Sequence, residues 1–97
     1  MHRLVVPKEI QQLIKNMHPD LKKKIRASLG IIMSAPGSGK ALMDELSGLR
    51  SFRVRSLRII YRIADAERIE LVALGPRKRI YEETVRILRR KKRELEK

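Results

Sequence analysis

The stretch Ser51-Phe52-Arg53-Val54-Arg55-Ser56-Leu57-Arg58-Ile59-Ile60-Tyr61-Arg62-Ile63 is followed, after eleven residues, by Gly75-Pro76-Arg77-Lys78-Arg79-Ile80-Tyr81. Its period is two. Phe52 and Val54 alternate with Arg53 and Arg55, and Ile59, Tyr61 and Ile63 alternate with Arg58, Ile60 and Arg62, as half-buried strands do. Ser56-Leu57 reads as the turn between the two strands and Asp65-Ala66-Glu67 as a second turn. Ile69 to Leu74 reads as an apolar strand stopped by Gly75-Pro76.

Working outward, His2 to Val6 is a short apolar strand that ends at Pro7, a residue suited to the first position of a helix. Ile10, Leu13, Ile14 and Met17 follow at i, i+3, i+4, i+7, so that face of the helix should be buried. His18-Pro19-Asp20 ends this helix and starts another, whose apolar stripe is Leu21, Ile25, Leu29 and Ile32. The pair reads as an antiparallel helical hairpin. Beyond Tyr81 a last helix is expected, with Glu82 and Glu83 near its start and Arg89 to Arg93 near its end, both favourable to the helix dipole. The predicted order is β-α-α-β-β-β-α. This is an α+β fold with a small antiparallel sheet and the helical hairpin packed on it, as one domain over residues 1–97.

The composition narrows the function. Lys and Arg number 24 against 11 Asp and Glu, a net charge of +13, while the 42% hydrophobic content still supports a folded core. A basic folded domain is suited to a polyanion: nucleic acid, an acidic protein or an anionic surface. No apolar run approaches the roughly 18 residues that span a bilayer, and the amino-terminal apolar segment breaks too early for a signal sequence, so a cytoplasmic protein without membrane contact is expected. The absence of cysteine excludes disulfide scaffolds and cysteine-based zinc sites, and two histidines offer little to a metal. Only Phe52, Tyr61 and Tyr81 are aromatic, so stacking is limited to one or two bases and ribose-phosphate must carry most of any RNA contact.

Arg53, Arg55, Arg58 and Arg62 fall within one hairpin, where cross-strand neighbours lie about 5 to 10 Å apart. Like charges so close repel, and an anion between them relieves the repulsion. For any single arginine a solvated strand face explains as much; the set, with Arg77 and Tyr81, points to phosphate. Ser34-Ala35-Pro36-Gly37-Ser38-Gly39 is the clearest loop, and Gly39-Lys40 invites a phosphate-loop reading. That pattern needs glycine where Ser34 stands and Ser or Thr where Ala41 stands, so a flexible connector is expected instead. His2 and His18 fall outside the arginine hairpin pattern. Arg89-Arg90-Lys91-Lys92-Arg93 reads either as a sequence-independent contact with nucleic-acid phosphates or as a solvated helix end that a partner covers.

The pattern Leu46-Ser47-Gly48-Leu49-Arg50-Ser51-Phe52-Arg53-Val54, then Arg58-Ile59-Ile60-Tyr61-Arg62-Ile63, then Gly75-Pro76-Arg77 with Tyr81, resembles the RelE/ParE superfamily of type II toxin-antitoxin toxins over nearly the whole chain. In that family RelE-type members cut mRNA in the ribosomal A site and ParE-type members inhibit DNA gyrase, each held by an antitoxin that wraps the toxin. The resemblance implies a ribosome-dependent endoribonuclease, with a gyrase inhibitor and a non-catalytic nucleic-acid-binding module as the alternatives. It implies an acidic antitoxin, the ribosome and mRNA as partners, DNA only through the antitoxin complex, and no metal or cofactor.

By the same resemblance Arg58 contacts the scissile phosphate, Arg77 stabilises it or protonates the leaving group, and Tyr81 stacks on a base and orients the attacking ribose. Arg53 matches a basic residue of the preceding strand, and Arg55 is a candidate for a second. Arg55, Arg62, Lys78 and Arg79 are expected to bind substrate, whereas Tyr61 is expected to pack at the sheet. The family's ribonucleases carry lysines on this strand. This chain has arginines, which hold their protons and are poor acceptors.

Overall fold

A computed structural model describes residues 2–95 of the chain. Strands β1 (Arg3–Val5), β2 (Lys40–Ala41), β3 (Arg50–Val54), β4 (Leu57–Ile63) and β5 (Arg68–Pro76) form one sheet in the order β1-β5-β4-β3-β2. The expected antiparallel pairing holds from β2 to β5, while β1 joins β5 in parallel, Arg3 opposite Arg68. Helices α1 (Lys8–Lys15) and α2 (Pro19–Ser34) form the hairpin, and α3 (Arg77–Leu95) closes the chain.

The sheet is covered on both sides. Val54, Ile59, Tyr61, Leu71 and Leu74 pack with Ile10 of α1 and with Ile25 and Ile32 of α2. On the other face Ile60 and Ala73 pack with Ile80 of α3 and with Leu46 and Leu49. Burial on both faces explains why strict alternation fails in β4, where Ile59, Ile60 and Tyr61 are all buried. A register shift after Ile60 places Ala73 opposite Ile60 and Leu71 opposite Tyr61. The extra residue, Val72, is a bulge, and it lets Val72 and Ala73 both join the α3 side.

Three local expectations give way. Leu13 is 44% exposed, so the buried face of α1 is narrower than its spacing suggests. The β3–β4 turn is Arg55-Ser56, because Leu57 pairs with Val54 and belongs to β4. Helix α3 starts at Arg77 rather than after Tyr81. Its first N–H is held by the hairpin, Arg77 N donating to Ser56 O at 3.0 Å, and buried Ile80 seats its first turn on the sheet.

The loop read as a flexible connector is anchored. The Tyr61 hydroxyl, at the core with no solvent exposure, donates to Pro36 O at 2.5 Å and accepts from Gly39 N at 2.9 Å. The Arg50 guanidinium donates to Gly39 O at 2.7 Å and Gly37 O at 3.3 Å. With its amide and carbonyl occupied in this way, Gly39-Lys40 offers no phosphate cradle; Lys40 instead pairs with Ser51 in the short strand β2, which the sequence reading lacks.

Arg55 carries the hairpin's strain. It is the first residue of a two-residue loop and holds φ at 56°, a position that favours glycine. Glycine there removes about 1–2 kcal/mol of left-handed strain and adds about 0.5–1 kcal/mol of unfolded-chain entropy. Arg55→Gly is therefore expected to raise stability by up to about 1 kcal/mol, read from thermal melts; a lower melting temperature would count against the assigned turn.

Candidate phosphate-binding site

The register puts Arg53 directly opposite Arg58, on the face that α3 covers. Two residues along β3 on that face, about 7 Å away, is Ser51, whose hydroxyl meets the Tyr81 hydroxyl at 3.3 Å. Tyr81 lies one turn into α3 and packs against the same cluster as Ile60 and Ile80. Arg77 is fixed by its backbone bond to Ser56. Thus Arg53, Arg58, Arg77 and Tyr81 come from three elements to one end of the sheet. Pro76 opposite Leu57 and Gly75 opposite Arg58 set the distance between β5 and the site.

Arg58 folds back over the turn, its Nη1 donating to Leu57 O at 3.0 Å and Arg55 O at 3.4 Å. These are neutral carbonyls, so the positive charge is hydrogen-bonded but not neutralised. Arg53 is exposed beside it. The first turn of α3 carries Arg77, Lys78 and Arg79, all exposed, and no acidic residue. Cations at the positive end of a helix dipole are unfavourable, and an anion bound nearby would relieve both the dipole and the arginine pair.

The structure does not bring every candidate here. Arg62 lies four residues along β4 from Arg58, about 13 Å away, and its Nη2 meets Glu70 Oε1 at 2.5 Å. That hydrogen bond, with the Arg62 charge, holds the Glu70 carboxyl below its ordinary value of 4.5. A depressed folded value means the pair stabilises the protein above about pH 4.5 and loses that contribution as pH falls through the folded value. Arg62→Gln should therefore unfold more readily than the parent at neutral pH, with the gap closing in acid; a gap independent of pH would contradict this linkage.

Arg55 sits in the turn itself, and Lys78 and Arg79 are exposed in the first turn of α3, outside the cross-strand pair. His18 is the cap of α2, its Nδ1 accepting from Asp20 N at 3.2 Å, and His2 Nδ1 contacts Met33 O at 3.1 Å, so both are engaged elsewhere. Ser51 is the site residue that sequence reading passed over. It is buried and polar, 30 residues from Tyr81 in sequence, and only the strand register reveals the contact.

Among the described residues no three His, Cys, Asp or Glu side chains cluster to hold a metal ion, and no helix is long and apolar enough to cross a membrane.

A five-stranded sheet, antiparallel except for β1, between a helical hairpin and a terminal helix is the fold of the RelE toxins. Residues 6–81 match the family described as ParE toxin of type II toxin-antitoxin system, parDE. The chain belongs to this family, within the RelE/ParE superfamily of type II toxin-antitoxin toxins.

Solved structures share the fold at low identity. The toxin-antitoxin complex RelBE2 from Mycobacterium tuberculosis matches with a TM-score of 0.68 and 22% identity, covering 78% of this chain and 98% of that one. A mutant E. coli toxin RelE in the free state matches at 0.70 and 13%, covering 88% and 95%. The intact E. coli RelBE toxin-antitoxin complex matches at 0.67 and 11%, covering 78% and 96%. No curated protein matches the chain.

Proposed function

We propose that this toxin is a ribosome-dependent endoribonuclease that cuts mRNA and so stops translation. The observation that carries the reading is the Arg53–Arg58 cross-strand pair with Tyr81 set beside it on Ser51. Cleavage of RNA by its own 2′-oxygen breaks the P–O5′ bond and leaves a cyclic phosphate. It needs a proton removed from O2′, charge stabilised at phosphorus and a proton delivered to O5′. Arg58 and Arg53 supply the second, and Arg77 supports it at the leaving-group side. Lys78, Arg79 and Arg55 surround this centre with further cations for the flanking phosphates.

The arginines keep their protons and cannot act as the base. Tyr81 is the one side chain of the set whose oxygen can give and take a proton, and it is half-buried, its hydroxyl held at Ser51. Holding the ribose and phosphate in line through the ribosome would supply much of the remaining rate.

Two facts support a protein regulator: two of the similar structures are toxin-antitoxin complexes, and this chain itself carries +13. We take an acidic antitoxin as its regulator, with opposite charge speeding association, and the cytoplasm as the place where ribosomes, message and antitoxin meet.

Incubation with programmed ribosomes, followed by mapping of message ends, tests the activity. Cuts within the A-site codon are expected, and intact message at stoichiometric toxin would overturn the reading. The family match by its ParE description favours a second reading, inhibition of DNA gyrase. A supercoiling assay separates the two, because a nuclease leaves gyrase untouched.

A further inference from the structure

Helix α3 carries a second cationic surface away from the site. Arg86, Arg89, Arg90 and Arg93 occupy i, i+3, i+4 and i+7, and all four are exposed. They share the outward side of α3, whose opposite side seats Ile80, Thr84 and Leu88 toward the sheet. Together with Glu83, Ile87 and Glu94 they line one open surface depression of about 760 Å³. The stripe is about 10 Å long and begins about 13 Å along the helix from Arg77.

The fold offers little to explain it. Arg89 meets Glu45 at 3.3 Å, an exposed pair, and among the described residues no other ion pair involves the stripe. The helix dipole favours Arg93 in the last turn but not Arg86 in the middle. The pairs Arg86–Arg90 and Arg89–Arg93, four apart, repel and destabilise the helix. A protein partner would be expected to find an apolar or aromatic anchor among the arginines, and Ile87 is the only apolar residue there, partly buried. A membrane would need a broad apolar face on the same helix. A repeating line of phosphates needs neither.

We infer that the stripe Arg86-Arg89-Arg90-Arg93 is a docking surface for the phosphate backbone of double-stranded RNA, bound without regard to sequence and separate from the cleavage site. The choice of RNA over DNA rests on the proposed ribosomal function. Arginine is suited to this contact because its planar fork grips phosphate oxygens in pairs.

The test is binding of a 20-base-pair RNA duplex of arbitrary sequence, measured from 50 to 200 mM salt, to the parent and to R86Q/R89Q/R90Q/R93Q. The slope of log affinity against log salt should fall in magnitude by about 3 to 4 in the variant. Circular dichroism checks the helix. Should the fourfold variant unfold, R86Q/R90Q removes two contacts and should lower the slope by about 2. An unchanged slope overturns the proposal, as does a change seen with a DNA duplex but not with RNA, or loss of binding only to polyglutamate. Since no cleavage is read, intact message in the ribosome assay would overturn the nuclease reading and leave this measurement standing.

Discussion

Arg58→Ala is expected to slow cleavage of message on programmed ribosomes by about 10²–10³-fold, the loss typical of removing one preorganised donor from a developing oxyanion. The fold should survive. Among the described residues the side chain hydrogen-bonds only to the Arg55 and Leu57 carbonyls, and deleting one of two facing arginines removes a repulsion across the β3–β4 pair. Thermal melting should therefore stay level or rise slightly while the rate falls. Arg53→Ala should cost less, and the double variant should lose less than the sum, because both act on one phosphate. Single-turnover rates at saturating ribosome measure this. A variant that cleaves at the parent rate would remove Arg58 from the chemistry and take the central support of the nuclease proposal with it.

Gly39→Ala should damage the fold itself. A Cβ at that position would stand 2.6 Å from the Tyr61 hydroxyl and 2.8 Å from its ring, with the tyrosine locked in the core and unable to swing away. Forcing atoms into a packed interior costs about 1–3 kcal/mol, and for a domain of this size each kcal/mol lowers the melting temperature by roughly 4–8 °C. A fall of roughly 5 to 20 °C is expected. Tyr61→Phe removes the nearest atom but abandons the Gly39 amide and the Pro36 carbonyl, so it should be destabilising alone and less than additive with Gly39→Ala. Melts of the two single variants and the pair decide it; an unperturbed Gly39→Ala would mean that the loop is held less tightly than its hydrogen bonds imply.

Much of the architecture was legible because periodicity reports burial. The spacing of Ile25 and Ile32 placed one buried face of α2, and the alternation of Phe52, Arg53 and Val54 placed β3. The failures have physical causes. The short interval from Arg53 to Arg58 leaves room for Arg55 in the turn, but its residue type gives no signal, since the left-handed position it fills is one that glycine or asparagine normally announces. The sequence pattern places the start of α3 five residues late because Arg77, Lys78 and Arg79 oppose the helix dipole, and what compensates, the Ser56 carbonyl, is 21 residues earlier in the chain. The arginines of the candidate site were visible as types. Their division was not: the pairing of Arg62 with Glu70 and of Ser51 with Tyr81 depends on strand register and helix docking, which no local pattern encodes.

The bond from Arg77 to the hairpin turn makes the β3–β4 loop a ruler. Its length fixes where the last helix begins, so a single inserted residue would displace Ser56 and carry Arg77 and Tyr81 out of line with Arg53 and Arg58 without touching any of them. Tolerance of insertions, usual in exposed loops, is withdrawn at this one, and related chains with longer loops would have to rebuild the candidate phosphate site from different positions.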